Sequence, residues 1–89
     1  MKRIIFSKNS WEDYLSWQME DKKILKKINS LIREIQSTPY EGTGKPEPLK
    51  HDLAGLWSRR IDSEHRLVYR TAGEDILIYA CRFHYGTER

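Results

Sequence analysis

The sequence predicts an α+β fold, with two N-terminal helices packed on one face of a small, mainly antiparallel sheet. Two observations predict it. Apolar residues in the first half recur at helical spacing, whereas the second half alternates in short runs joined by tight turns. The length of 89 residues suits one domain, and an apolar fraction of 38% supplies one core and no second.

Arg3 to Phe6 reads as a short strand, because Ile4, Ile5 and Phe6 favour extended backbone. Ser10 is expected to open the first helix, with Asp13 three residues on in its first turn. Trp11, Tyr14, Leu15 and Gln18 then share one helical face. Asp21 caps a second helix whose stripe is Ile24, Ile28, Leu31, Ile32 and Ile35. Thr38-Pro39 ends it, since proline disfavours helix in the residue before it. Tyr40 to Pro48, with Gly42, Gly44, Pro46 and Pro48, reads as a loop. Strands are expected at about Leu49 to Leu53, Trp57 to Asp62, His65 to Thr71 and Asp75 to His84. The connections Asp62-Ser63-Glu64 and Ala72-Gly73-Glu74 are short enough to force antiparallel hairpins.

Alternation across the strands assigns the faces. The simplest arrangement puts Leu67, Tyr69, Leu77, Tyr79 and Phe83 under the helices, and Arg60, Arg66, Arg82 and His84 on the other side, with Ile76 and Ile78 against the split. A tight Asp62-Ser63-Glu64 turn sets Arg60 opposite Arg66. Like charges directly across a sheet are destabilising unless something anionic covers them. A phosphate suits, because guanidinium groups match its oxygens in a bidentate fork. Neutralisation by neighbouring Asp and Glu side chains is the alternative.

Sixteen basic residues against thirteen acidic give a formal net charge of +3, which permits a polyanionic partner without requiring one. The single cysteine, Cys81, excludes an internal disulfide and reads as a small buried hydrophobe. The apolar run at Ile4 to Phe6 is too short for a signal peptide or a membrane span, so a cytoplasmic protein is expected. His51, His65 and His84 make no zinc spacing with the cysteine, and no acidic run resembles a calcium or magnesium loop, so no metal or other cofactor is expected. Any chemistry then falls to protons and positive charge. RNA cleavage needs little more: a base for the ribose 2′-hydroxyl, an acid for the leaving 5′ oxygen, and cations for the phosphate. Glu47, His84 and Arg66 are candidates for base, acid and cation, each a weak signal alone.

Several strings are more specific. Gly44-Lys45-Pro46-Glu47-Pro48-Leu49-Lys50, Gly55-Leu56-Trp57-Ser58-Arg59-Arg60-Ile61, Glu64-His65-Arg66-Leu67-Val68-Tyr69 and the pair His84-Tyr85 resemble the YoeB (Txe) toxins of the wider RelE/ParE superfamily. Ser10-Trp11-Glu12-Asp13-Tyr14 and Asp21-Lys22-Lys23 follow the same pattern. The likeness runs over residues 1–85, in order, and marks them as one RelE-like domain; residues 86–89 extend past the His-Tyr pair where the family usually stops.

The resemblance implies a ribosome-dependent messenger RNA endonuclease, the toxin of a type II toxin–antitoxin pair, cutting in the ribosomal A site. It implies Glu47 as base, Arg66 as phosphate-binding arginine and His84 as acid. Lys50, Arg60 and Tyr85 match positions that hold the RNA backbone or target base. It also implies a homodimer and a silencing antitoxin of YefM type. Lys22, Lys23, Lys26 and Lys27 line the outer face of the second helix, either as a plain solvated surface or as a surface for ribosomal RNA. A non-catalytic ParE-like toxin and an RNA-binding module are the alternatives on the same fold.

Overall fold

The computed structural model describes residues 2–83. Strand β1 (Arg3–Phe6) leads into helices α1 (Lys8–Glu20) and α2 (Lys22–Ser37), followed by β2 (Glu47–Pro48), a short 3₁₀ turn at His51–Leu53, β3 (Trp57–Arg60), β4 (Arg66–Ala72) and β5 (Asp75–Ala80). The sheet order is β1-β5-β4-β3-β2. Among the described residues only the β1–β5 pair is parallel; β2–β3, β3–β4 and β4–β5 are antiparallel, the last two as their short connections require.

Helix α2 follows its sequence pattern. The Asp21 carboxylate accepts the N–H groups of Lys23 and Ile24, satisfying two of the free donors of the first turn. Ile28, Leu31 and Ile35 are fully buried, and Ile24 and Ile32 pack beside them. Thr38 ends the helix before Pro39. Helix α1 begins one turn earlier than Ser10 suggests. Ser7, in extended backbone, is the cap, and its Oγ accepts the Ser10 N–H at 3.1 Å. Ser10 lies inside the helix, fully buried, where its hydroxyl donates to the Ile78 carbonyl at 2.7 Å. The pull of that contact with β5 outweighs capping. Trp11 and Leu15, expected on a common face with Tyr14, remain 46% and 42% exposed, while Ser10, Asp13 and Trp17 form the buried side.

Two expected strands change. Leu49 to Leu53 is not a strand. The pairing segment is Glu47–Pro48, after which a positive φ of 58° at His51 turns the chain into the 3₁₀ turn. Proline is tolerated in β2 because β2 is a sheet edge. The last strand ends at Ala80, short of the expected His84, and Phe83 beyond it takes φ 63°.

The face assignment for β5 is also corrected. Ile76 and Ile78 lie under the helices, fully buried or nearly so, whereas Tyr79 is 38% exposed. The cause is a bulge. Tyr69 pairs with Ile78 and Val68 with Ala80, leaving Tyr79 without a partner across the ladder. One extra residue reverses the alternation. Ile76 and Ile78 face inward before it and Cys81 after it, which explains why a single rule could not sort this strand.

Arg59 is the largest fully buried side chain, on the helix-facing side of β3. Its five N–H groups are all used. Nε donates to the Tyr69 hydroxyl, Nη1 to Glu34 and the Thr43 carbonyl, and Nη2 to the carbonyls of Thr38 and Glu41. The loop between α2 and β2 is thereby tied to the sheet. The N–H of Thr43, with its hydroxyl and the Arg59 charge, outweighs burial and holds the Glu34 carboxyl below the usual carboxylate range. Gly42, at φ 127°, passes so near that a Cβ there would lie 2.0 Å from Glu34 Oε1. Replacing Arg59 by Met strands three carbonyls and leaves the Glu34 carboxylate without its cation. Stability is expected to fall by about 3–5 kcal/mol in urea unfolding. A loss below about 1 kcal/mol would put this cluster with ordinary surface pairs.

Candidate active site

Strand pairing decides which side chains meet. Glu47 lies opposite Ser58, Ser58 opposite Val68, and Arg60 opposite Arg66. Paired residues share a face, so Glu47, Arg60 and Arg66 stand on the side of the sheet away from the helices, whose contacts are with Leu67, Tyr69, Ile76 and Ile78. The expected opposition of Arg60 and Arg66 is present in the register.

Glu47 is exposed on the edge strand. Pro46 and Pro48 fix φ on either side of it, and its pre-proline position favours extended backbone. The preceding turn is pinned by the Arg60 N–H donating to the Gly44 carbonyl at 2.6 Å. A carboxylate is thus presented on a short, stiff segment. Lys50 is exposed just after β2 and begins the 3₁₀ turn that returns the chain to β3.

Arg66 is 8% exposed, and its Nη1 donates to the carbonyls of Asp62 at 2.9 Å and His65 at 3.1 Å. These bonds orient the guanidinium without neutralising it. Among the described residues neither Arg60 nor Arg66 forms an ion pair. Asp62, an acid close enough to feel the charge of Arg66, is engaged elsewhere: Oδ1 accepts the N–H of Glu64 at 2.8 Å and of His65 at 2.6 Å. Burial pushes its carboxyl up, but those N–H groups, with His65 and Arg66 nearby, prevail and hold it below its ordinary range.

Arg82, expected on the same face, is elsewhere. Its guanidinium lies 4.1 Å from the Trp17 ring centroid and pairs with Glu20 at 2.7 Å, on α1. The bulge and the early end of β5 turn it to the helical side. Lys22, Lys23, Lys26 and Lys27 are exposed on α2, in the helical layer, and the sheet separates them from Glu47 and Arg66. His84 and Tyr85 lie outside the described residues. The chain reaches them from Phe83, whose carbonyl accepts the Arg66 N–H at 3.0 Å.

Two residues here were not singled out from the sequence, Asp62 and His65. The Asp62-Ser63-Glu64-His65 spacing carries a signal, since an Asp side chain commonly caps the N–H groups two and three residues on. Among the described residues no helix is long and apolar enough to cross a membrane.

A family model described as YoeB-like toxin of bacterial type II toxin–antitoxin system matches residues 6–85. The chain is 60% identical over 83 residues to the toxin YoeB of Escherichia coli K12, a match covering 93% of this chain and 99% of that one. The YoeB dimer from Staphylococcus aureus has a TM-score of 0.87 at 48% identity, over 94% of this chain and 98% of that one. The YoeB–YefM complex from the same organism has a TM-score of 0.88 at 46% identity, over 96% and 99%.

Proposed function

Because the chain belongs to the YoeB-like toxins of bacterial type II toxin–antitoxin systems, we propose that it is a cytoplasmic endoribonuclease that cuts messenger RNA in the ribosomal A site, using the substrate's own 2′-hydroxyl and no metal ion. One observation supports this reading most. Glu47 shares a sheet face with Arg66, and Arg60 stands directly opposite Arg66 with no ion pair at either arginine among the described residues. Two opposed cations destabilise a sheet until an anion covers them. A phosphodiester is such an anion, and the carboxylate beside it is a base.

In this mechanism Glu47 removes the 2′ proton, and the 2′ oxygen bonds to phosphorus. The bond from phosphorus to the 5′ oxygen breaks as His84 donates a proton to that oxygen. Arg66, with Lys50 and Arg60, binds the phosphoryl oxygens as their charge builds. Tyr85 holds the RNA next to His84. The products are a 2′,3′-cyclic phosphate and a 5′-hydroxyl. The test is cell-free translation with the purified toxin. Shortened messenger with defined 3′ ends is expected; intact messenger with stalled synthesis would favour a non-catalytic toxin.

Docking and control belong to other surfaces. Lys22, Lys23, Lys26 and Lys27 make a basic surface for ribosomal RNA, remote from the reacting groups. Neutralising all four is expected to weaken ribosome association and flatten its dependence on salt, since fewer counterions are released. An unchanged slope would return them to a solvated face. Trp11, Leu15 and Met19 follow one another every four residues along α1 and are 46%, 42% and 88% exposed, an apolar line suited to a second copy of the chain. The Staphylococcus aureus dimer supports a homodimer, and the complex with YefM supports a YefM-type antitoxin.

A further inference from the structure

We propose that His65 is a positioning residue that fixes Phe83, the residue before the pair His84-Tyr85, relative to Arg66. It rests on the reading of His84 as the acid. His65 is 7% exposed and takes no part in the reaction as written above. Its Nδ1 accepts the Phe83 N–H at 2.7 Å. The ring cannot turn freely. Its edge packs on Trp17 with centroids 4.8 Å apart, Phe83 lies 5.7 Å away, and Nε2 is 3.6 Å from Glu64 Oε1.

The His65 backbone is held as firmly. Its N–H donates to Asp62 Oδ1, and its carbonyl accepts the Ile61 N–H at 2.9 Å and Arg66 Nη1 at 3.1 Å. One residue therefore touches both Arg66 and Phe83. Its carbonyl orients the guanidinium of Arg66, and its ring holds the residue that precedes His84. Phe83 needs such a hold. At φ 63° it sits in left-handed backbone that a bulky residue rarely adopts. Both its peptide groups are engaged, the N–H by His65 Nδ1 and the carbonyl by the Arg66 N–H. Without the imidazole acceptor the N–H half of this clamp is lost, and Phe83 is held only through its carbonyl by the Arg66 N–H.

The experiment compares His65→Leu, His65→Asn and His65→Gln by two readouts: hydrogen exchange at the Phe83 amide, and single-turnover cleavage at saturating ribosomes with affinity measured separately. His65→Leu is expected to lose Phe83 protection and to cleave about a hundredfold more slowly at unchanged ribosome affinity, the penalty for a misplaced reacting group. His65→Asn places Oδ1 near the position of Nδ1 and is expected to restore most of both. His65→Gln carries its oxygen too far out and is expected to resemble Leu. If the Leu variant does not fold, the contrast of Asn with Gln decides. Wild-type cleavage by His65→Leu would overturn the proposal, as would an Asn variant that regains Phe83 protection yet stays as slow as Gln. If the wild-type protein cuts nothing, the nuclease reading fails instead. Phe83 protection then still tests the clamp, and equal exchange in all variants would overturn it.

Discussion

Replacing Glu47 by Gln is expected to lower messenger cleavage on the order of a thousandfold, the usual contribution of a positioned general base, while ribosome binding persists. The substitution keeps the size and shape of the side chain and removes only its capacity to take a proton. The backbone at this position does not depend on the carboxylate. It is set by Pro46 and Pro48, by pairing with Ser58, and by the Arg60 N–H on the Gly44 carbonyl. Glu47 is exposed, so the amide leaves no buried group unsatisfied. The basic surface of α2 lies across the sheet and is unaffected. Co-sedimentation with ribosomes and single-turnover cleavage separate the two effects. Binding that falls in step with cleavage would remove Glu47 from the role of base.

Features written in local pattern are legible in the amino-acid sequence itself. The α2 stripe and its Asp21 cap follow from helical periodicity and capping chemistry, and both are present. The opposition of Arg60 and Arg66 follows from the length of one turn. Features set by distant contacts are not legible in this way. Ser10 carries a capping signal, but its hydroxyl is drawn to the Ile78 carbonyl, 68 residues away, and Ser7 caps instead. The bulge at Tyr79 leaves no local signature, yet it decides that Ile76 and Ile78 are core and that Tyr79 is not. Arg59 sits beside Arg60 in a string of charges. Nothing in that string says that one arginine is fully buried with five bonds and its neighbour exposed.

The same division holds for the candidate site. The base, the phosphate-binding arginine and the acid are assigned by resemblance to a family rather than by periodicity. The fold adds the shared face of Glu47 and Arg66, and it removes Arg82, which alternation places there. In the sequence His65 is one of three histidines and a member of the Glu64-His65-Arg66 string, but neither shows its role, which depends on a contact with Phe83, 18 residues on.

The proposed nucleophile is the ribose 2′-hydroxyl. That group is covalently held beside the phosphorus it attacks, so its effective concentration is high and no activated water is needed. Glu47 then has one proton to remove, and Arg66 with Arg60 has one phosphate to stabilise. The most direct test is a messenger carrying a single 2′-deoxy residue at the cut site, programmed into ribosomes and mixed with the toxin. The deoxy messenger is expected to support the same toxin binding as the all-ribose messenger and to remain whole, while the all-ribose control yields a 2′,3′-cyclic phosphate and a 5′-hydroxyl. Cleavage of the deoxy messenger at a rate near the control would contradict the account and require a nucleophile from outside the substrate.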